Sequence, residues 1–412
     1  MSTRNLQFLF EPKSVAVIGA SARPGRIGTV LWRNLRDGGF AGPRWAVNPR
    51  RDRFGGAIDG EPVLRSIAAL PAAPELALIC APPSTVPGLV AELGARGTRA
   101  VVVLTPSLAE RQTQAMLDAA RKHLLRVLGP QCIGLLSPHA KLNASFAHIG
   151  ATPGPLAFIS QSGALATSML DWAAARGIGF SRFVSLGERA DIDIGDLLDW
   201  LAGDSRTRAI LLYRDSVETP RKFMSAARAA ARNKPVLVVK AGRSPQGQAA
   251  ASTHSAALAT SDLVYDAAIR RAGMLRVGSL EDLFIAAETL THFGGMTHGR
   301  GIETLERLTI LGNGVGPGVL AADACAAEGI ELAPAGALGA NPIALVGNAP
   351  IDSYVEALRT LLDNPASGSV LLMHAPNALV SSSELAQALV PVAKKAPRRV
   401  WSAWLGEAAV AP

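Results

Sequence analysis

Two stretches of this 412-residue sequence carry residue types at spacings that suit phosphate chemistry. The first is VIGASARPGRIG (Val17–Gly28), a glycine-rich turn that follows a short apolar run and precedes a helical one. Gly19 permits a tight turn, Gly25 lets backbone approach a ligand, and Gly28 allows a helix to pack closely. Ser21 can donate a hydrogen bond, Arg23 can pair with a phosphate, and a helix start behind them supplies unpaired N–H groups. The spacing differs from the dinucleotide pattern GxGxxG, and Pro24 makes the loop stiffer and wider, so an ordinary strand–helix turn fits the same letters. The second stretch is AASTHSAALATSDLVYDAAIRRAGMLRV (Ala250–Val277), in which His254 sits among small residues. Ala, Ser and Thr let backbone pass close to other groups, as a moving imidazole that carries phosphate requires. SQSGAL (Ser160–Leu165) offers a matching anion site. A helix starting there would aim backbone N–H groups and the hydroxyls of Ser160 and Ser162, with Gly163, at one spot. The other six histidines read as surface or core residues.

The elements that must position these groups alternate in the manner of parallel sheets with crossover helices. SVAVIG (Ser14–Gly19), RWAVN (Arg44–Asn48), ELALIC (Glu75–Cys80), AVVVL (Ala100–Leu104) and RVLG (Arg126–Gly129) are continuous apolar strands, expected to be covered on both faces. A helix runs through VLWRNL (Val30–Leu35). Residues 1–135 therefore form one Rossmann-like domain. The Gly/Pro stretch Gly150–Pro155 opens a second, flavodoxin-like domain over residues 150–293. Its strands are LAFIS (Leu156–Ser160), FVSLG (Phe183–Gly187), AILLY (Ala209–Tyr213) and VLVVK (Val236–Lys240). Its helix from Gly163 to Ala175 places Leu165, Met169, Trp172 and Ala173 on one face. After a linker, GGMTHGR (Gly294–Arg300), residues 307–412 read as a third flavodoxin-like domain. Its last strand lacks a covering helix, so that domain is expected to be truncated.

Composition narrows the function classes. At this length two to four domains are expected. No apolar run is long enough to span a bilayer, and the N-terminus lacks the core of a signal peptide. Cys80, Cys132 and Cys325 are far apart and odd in number, which suits reduced thiols and a cytoplasmic protein, with no metal framework. The net charge of +8 invites nucleic acid. The arginines are dispersed, however, and the densest cluster, Arg44–Arg53, lacks interleaved aromatics, so a small polyanion explains it equally well.

With those residues in view, FEPKSVAVIGASARPGRIG (Phe10–Gly28) resembles the opening of the CoA-binding domain of ADP-forming acyl-CoA synthetases, relatives of the succinyl-CoA synthetase α subunit. The similarity continues through NPR (Asn48–Arg50), APPSTVPGL (Ala81–Leu89), LTP (Leu104–Pro106) and GPQCIGLLSP (Gly129–Pro138). It implies that Ser21, Arg23, Ile27 and Gly28 line the CoA phosphates, that Arg50 reaches a phosphate, and that Pro82, Pro83 and Thr105 border the pantetheine path. The His254 segment resembles the family's phosphohistidine loop. There Ala256 and Thr260 replace glycines, Asp215 stands for the Glu that orients the imidazole, and Ser160, Ser162 and Gly163 match the phosphoryl cradle. Further departures are Gln131 for Asn, Pro106–Ser107 where a Gly follows the Thr, Glu188 for Asn, and Ala344 where Asp is frequent.

The resemblance implies an α/β chain with a Rossmann-like CoA-binding domain, a flavodoxin-like ligase domain and an incomplete third domain. It also implies CoA or acyl-CoA and phosphate as ligands, an oligomer, and an ATP-grasp subunit or domain through which alone Mg-nucleotide enters. Details such as Arg221–Arg243 resemble bacterial fusions with a GNAT-type lysine acetyltransferase, which implies that domain as a further partner. Three functions follow. The first is an α-type component of an acetyl-CoA synthetase with His254 and Asp215 catalytic. The second is a catalytically impaired CoA sensor regulating an acetyltransferase. The third is an NAD(P) oxidoreductase, disfavoured because Asn48 and Arg50 stand where an acidic residue would hold the ribose. No partner of nucleic acid or membrane is expected.

Overall fold

The computed structural model describes residues 3–214, 219–244, 246–247, 262–293, 307–334, 336–396, 399–406 and 409–410. They fall into two compact units, Met1–Gly294 and Gly295–Pro412.

The first unit holds two sheets. Its N-terminal sheet comprises β1 (Val15–Ile18), β2 (Arg44–Val47), β3 (Ala57–Ile58), β4 (Glu61–Leu64), β5 (Leu76–Ile79), β6 (Ala100–Val103) and β7 (Arg126–Leu128). Their spatial order is β3-β4-β2-β1-β5-β6-β7, and every pairing from β4 to β7 is parallel. The short helix α1 (Gln7–Phe10) precedes this sheet, and α2 (Ile27–Asp37), α3 (Val86–Arg96) and α4 (Glu110–Lys122) cross it over. β1, β5 and β6 are buried throughout because side chains of opposite parity enter two different cores. Val15 and Val17 face one cluster and Ala16 and Ile18 the other. The expected Rossmann-like domain, with strands covered on both faces, is therefore present.

The second sheet is built from β8 (Gly134–Ser137), β9 (Leu142–Ser145), β10 (Pro153–Ser160), β11 (Phe180–Ser185), β12 (Ala209–Arg214), β13 (Val236–Lys240) and β14 (Leu275–Arg276). The order is β14-β13-β12-β10-β11-β8-β9, parallel except for the β8–β9 hairpin and its pairing with β11. Strands of this sheet thus begin at Gly134, ahead of the Gly/Pro stretch that marks the change of domain in the sequence. The hairpin also braces the other sheet: Asn34 Nδ2 on α2 donates to Ser145 O (2.9 Å) and Ala147 O (2.8 Å). One apolar core runs without interruption from Leu31 and Trp32 of α2 to Ile159 and Val184 in the second sheet.

α5 (Gly163–Ala175) follows β10, and α6 (Ile194–Gly203) and α7 (Pro220–Asn233) pack on the sheet. The buried stripe of α5 is Ala166, Met169, Leu170 and Ala173. Leu165 and Trp172, expected on that face, are half-buried. Trp172 instead stacks on Phe284 at 4.4 Å, the larger ring being accommodated at the margin.

In the second unit, β15 (Arg307–Gly312), β16 (Glu331–Leu332), β17 (Ile343–Ala344), β18 (Ser369–His374) and β19 (Val400–Trp404) form a parallel sheet ordered β16-β15-β18-β19, with β17 on β15. Helices Ile351–Asp363 and Ser382–Ala393 cover one face and Val315–Ala327 the other. No described helix is long and apolar enough to cross a membrane.

Candidate functional site

The C-terminal end of β1 opens into a crevice of about 510 Å³, lined by Gly19, Ser21, Arg23, Gly25, Arg26, Ile27, Gly28, Asn48, Arg50, Arg53, Phe54 and Cys80. Its shape depends on glycine. Gly19 has φ +99°, and a Cβ there would lie 2.5 Å from Cys80 O. At Gly28, in the first turn of α2, a Cβ would lie 2.2 Å from Gly19 O. The helix start therefore rests directly on the end of β1, which leaves its first amides facing the crevice. Gly25 is different: its φ is +73°, with no atom within 4 Å of an added Cβ, so the turn needs its backbone freedom and not its small size.

Hydrogen bonds fix the rest of the turn. Ser21 Oγ accepts from Arg23 N (3.1 Å), Thr29 Oγ1 donates to Arg23 O (2.6 Å), and Asn48 Nδ2 donates to Ala20 O (2.7 Å). Cys80 Sγ donates to Ile18 O at 3.4 Å. Burial pushes that thiol up to about 12, so it stays protonated and serves as a wall, not a nucleophile. Seven expected residues thus meet in one place: Gly19, Ser21, Arg23, Gly25, Ile27, Gly28 and Arg50. Pro82, Pro83 and Thr105 do not line this cavity. They follow β5 and β6, whose ends lie level with that of β1. Thr105 is buried and its hydroxyl is engaged with Ala81 O at 2.8 Å.

The second cluster is the start of α5. Ser162 is the N-cap, its Oγ accepting from Leu165 N at 3.3 Å. Ser160 Oγ accepts from Ser162 N (3.0 Å) and donates to Ser162 O (2.7 Å). Both hydroxyls therefore shape the turn, and the groups left facing outward are the amides of Gly163 and Ala164, at the positive end of the helix. His254 and Asp215 lie outside the described residues, as do Ala256 and Thr260.

A loop spanning Gly129–Ile133 connects Thr105, after β6, with the start of α5. Gln131 N donates to Thr105 O (3.0 Å) on the side of the first sheet. On the other side Ile133 N donates to Ser185 Oγ (3.2 Å), and the Ile133 side chain would lie 2.9 Å from a Cβ on Gly163. Glu188 N and Ala190 N donate to Pro130 O (2.8 Å) and Gly129 O (3.1 Å). Gln131 takes φ +56°, a conformation in which Asn is the more comfortable residue, and that is the physical content of its departure from the family pattern. Glu188 is half-buried in this seam.

Arg26, Asn48, Arg53, Phe54 and Cys80 belong to the crevice but were not picked out as site residues. The available signal was position in the chain: Arg26 precedes Ile27 in the glycine turn, Arg53 ends the basic Arg44–Arg53 cluster, and Phe54 follows it. Among the described residues no group of His, Cys, Asp and Glu is arranged to hold a metal.

The fold is a Rossmann-like domain with an arginine-lined crevice followed by a flavodoxin-like domain, and comparison with known proteins agrees on that fold. Residues 13–138 match the CoA binding domain model, and residues 153–290 match that of the succinyl-CoA ligase like flavodoxin domain. The chain is 36% identical over 408 residues to the acetate–CoA ligase [ADP-forming] I subunit alpha of Pyrococcus furiosus, covering 94% of this chain and 86% of that protein. It is 35% identical to acetate–CoA ligase [ADP-forming] I of Archaeoglobus fulgidus, spanning 93% of this chain but 57% of that longer protein. A solved dinucleotide-forming acetyl-coenzyme A synthetase 1 of Ca. Korarchaeum cryptofilum, in complex with phosphate and ADP, superposes with a TM-score of 0.90 at 32% identity over 98% of this chain and 90% of that one. The chain belongs to the family of ADP-forming acetate–CoA ligase α subunits.

Proposed function

We propose that this chain is the CoA-binding, phosphohistidine-carrying α component of an ADP-forming acid–CoA ligase that works with an ATP-grasp partner. The observation that carries the reading is the Gly129–Ile133 loop, which runs from Thr105, just after β6 of the sheet that bears the crevice, to the start of α5. The crevice residues fit a CoA tail: glycines clear the floor, helix amides face inward, and arginines line the walls. Thr105 and the prolines after β5 border the way toward the loop.

In this reading acyl-CoA and inorganic phosphate give acyl phosphate and CoA. The acyl phosphate then gives up its phosphoryl group to His254, with release of the free acid. Asp215 would orient the imidazole by accepting from its second nitrogen. The amides of Gly163 and Ala164 would stabilise the transferred phosphoryl group, while the partner supplies the Mg-nucleotide site and passes the group to ADP. The proteins of Pyrococcus furiosus named as α subunits support a separate partner. The three free thiols suit a reducing, cytoplasmic setting.

The test is incubation with acetyl-CoA and radiolabelled phosphate, with and without the ATP-grasp partner. Acid-labile label on the wild type but not on His254→Ala is expected. CoA binding without any label would sink the ligase reading and leave a CoA sensor in its place.

A further inference from the structure

Among the described residues the sheet edges are either short or occupied, with one exception. β3, β14 and β16 are two residues long. β7 is closed from outside, where Val127 N donates to Asp191 Oδ2 (2.9 Å) and Val127 O accepts from Ile192 N (3.1 Å). β9 lies against α2, whose Asn34 Nδ2 donates to Ser145 O. The exception is β19. Val400–Trp404 runs for five residues in regular parallel register with β18, and no described strand pairs with its other side. It holds no charged residue, no proline and no bulge, the devices that blunt an exposed edge. Arg399, just before it, is turned back onto its own unit, donating to Leu362 O (2.8 Å) and Gly368 O (2.8 Å).

The ladder fixes which groups face outward. Val370 N donates to Arg399 O (2.6 Å) and Leu405 N donates to His374 O (2.9 Å), so the odd-numbered residues turn their backbone toward β18. Bonding residues alternate along a parallel strand, so Val400, Ser402 and Trp404 point their N–H and C=O groups away from it. We propose that these residues pair with the same residues of a second copy of this chain, antiparallel and centred on Ser402, which joins the two sheets across a two-fold axis. This goes beyond the ligase reading and uses none of its residues. A pairing centred on Ser402 engages every outward residue, whereas one centred on Val400 or Trp404 leaves some unpaired. It also sets large against small on both faces. Val400 meets the partner's Trp404 on the face that packs with the Ser382–Ala393 helix, and Trp401 meets the partner's Ala403 on the other. Ser402, which is exposed, meets its own counterpart. An uncharged strand offers a different protein no electrostatic code, while this self-complementary one fits an isologous contact. The pairing consumes the edge, so association closes at a dimer.

Sedimentation velocity over a concentration series, with oxidative cross-linking, tests this on the full chain. Wild type should sediment as a dimer at the upper end of the series. Ser402→Pro should shift it to monomer, because proline removes an outward N–H and costs the β18 ladder no bond. In the proposed register the two Ser402 Cα atoms form a hydrogen-bonded pair about 5.5 Å apart, within disulfide reach. Ser402→Cys should therefore give a covalent dimer on mild oxidation. Ala403→Cys should not, since its two copies lie on a diagonal about 7–8 Å apart. Cys132 and Cys325 are buried and Cys80 is half-buried, so wild type serves as the blank. A wild type that stays monomeric throughout, a dimer indifferent to Ser402→Pro, or cross-linking of Ala403→Cys as readily as Ser402→Cys would overturn the proposal. Should Ser402→Pro fail to fold by circular dichroism, the two cysteine variants decide alone.

Discussion

At the residue scale the crevice uses glycine for two separable reasons. Gly28 has ordinary helical backbone, and only space forbids a side chain, since Gly19 O occupies the place of its Cβ at 2.2 Å. Gly25 has the space and lacks only an L-residue's tolerance for φ +73°. Gly28→Ala should therefore cost about 1–3 kcal/mol by overpacking and also weaken CoA binding. Gly25→Ala should cost about 1–2 kcal/mol through backbone strain. Asn should rescue part of the loss at Gly25 and none at Gly28, because Asn tolerates the left-handed region but still brings a Cβ. Urea midpoints for the four variants, with CoA titrations alongside, check this. The turn's role was legible because Gly19, Ser21, Arg23 and Gly28 fall between an apolar strand and a helix. The bonds that engage Ser160 and Ser162 were not legible, because a serine's letter does not say whether its hydroxyl points at a ligand or at its own backbone.

At the element scale β18 carries a buried histidine. His374 is fully buried, with Nε2 3.2 Å from Ser382 Oγ and its ring against Tyr354 (6.1 Å) and Trp404 (5.3 Å). Burial holds its pKa below the ordinary value. A depressed pKa means that the unfolded chain takes up a proton first. The contribution is present above about pH 6.5, the ordinary histidine value, and declines as pH falls below it. Amide exchange of β18, corrected for intrinsic rates, should therefore accelerate from pH 7.5 to 5.5 in wild type. In His374→Gln the dependence should largely vanish. Nothing in the sequence singled out His374, since the apolar run VLLMHA (Val370–Ala375) gives a strand but not the identity of its neighbours.

At the scale of the whole molecule, described unit by unit, the first unit is held together by an ionic seam as well as by its shared core. Arg126 at the start of β7 reaches Asp191 (2.9 Å) and Asp196 (3.1 Å), and Lys222 of α7 reaches Asp196 (2.8 Å) and Asp193 (3.0 Å). Asp196 is buried, so Arg126→Met should cost about 3 kcal/mol by leaving Lys222, among the described residues, as the one cation beside three carboxylates, and Arg126→Lys should recover only part, lacking a second nitrogen. Chemical denaturation of the three proteins measures both effects. This seam joins residues of the two expected domains, and the β8–β9 hairpin does the same, so the boundary near residue 135 is where the chain changes sheets and not where packing stops. By itself the sequence determined the α/β class, the main parallel strands of the first two sheets, the glycine turn and the family resemblance, because periodicity, turn chemistry and motif spacing are local properties. Only the tertiary structure decided that Arg26, Arg53, Phe54 and Cys80 wall the crevice, and that one loop, Gly129–Ile133, spans from Thr105 to the start of α5. Those facts depend on contacts between residues far apart in the chain, and no local pattern encodes which distant partner a side chain meets.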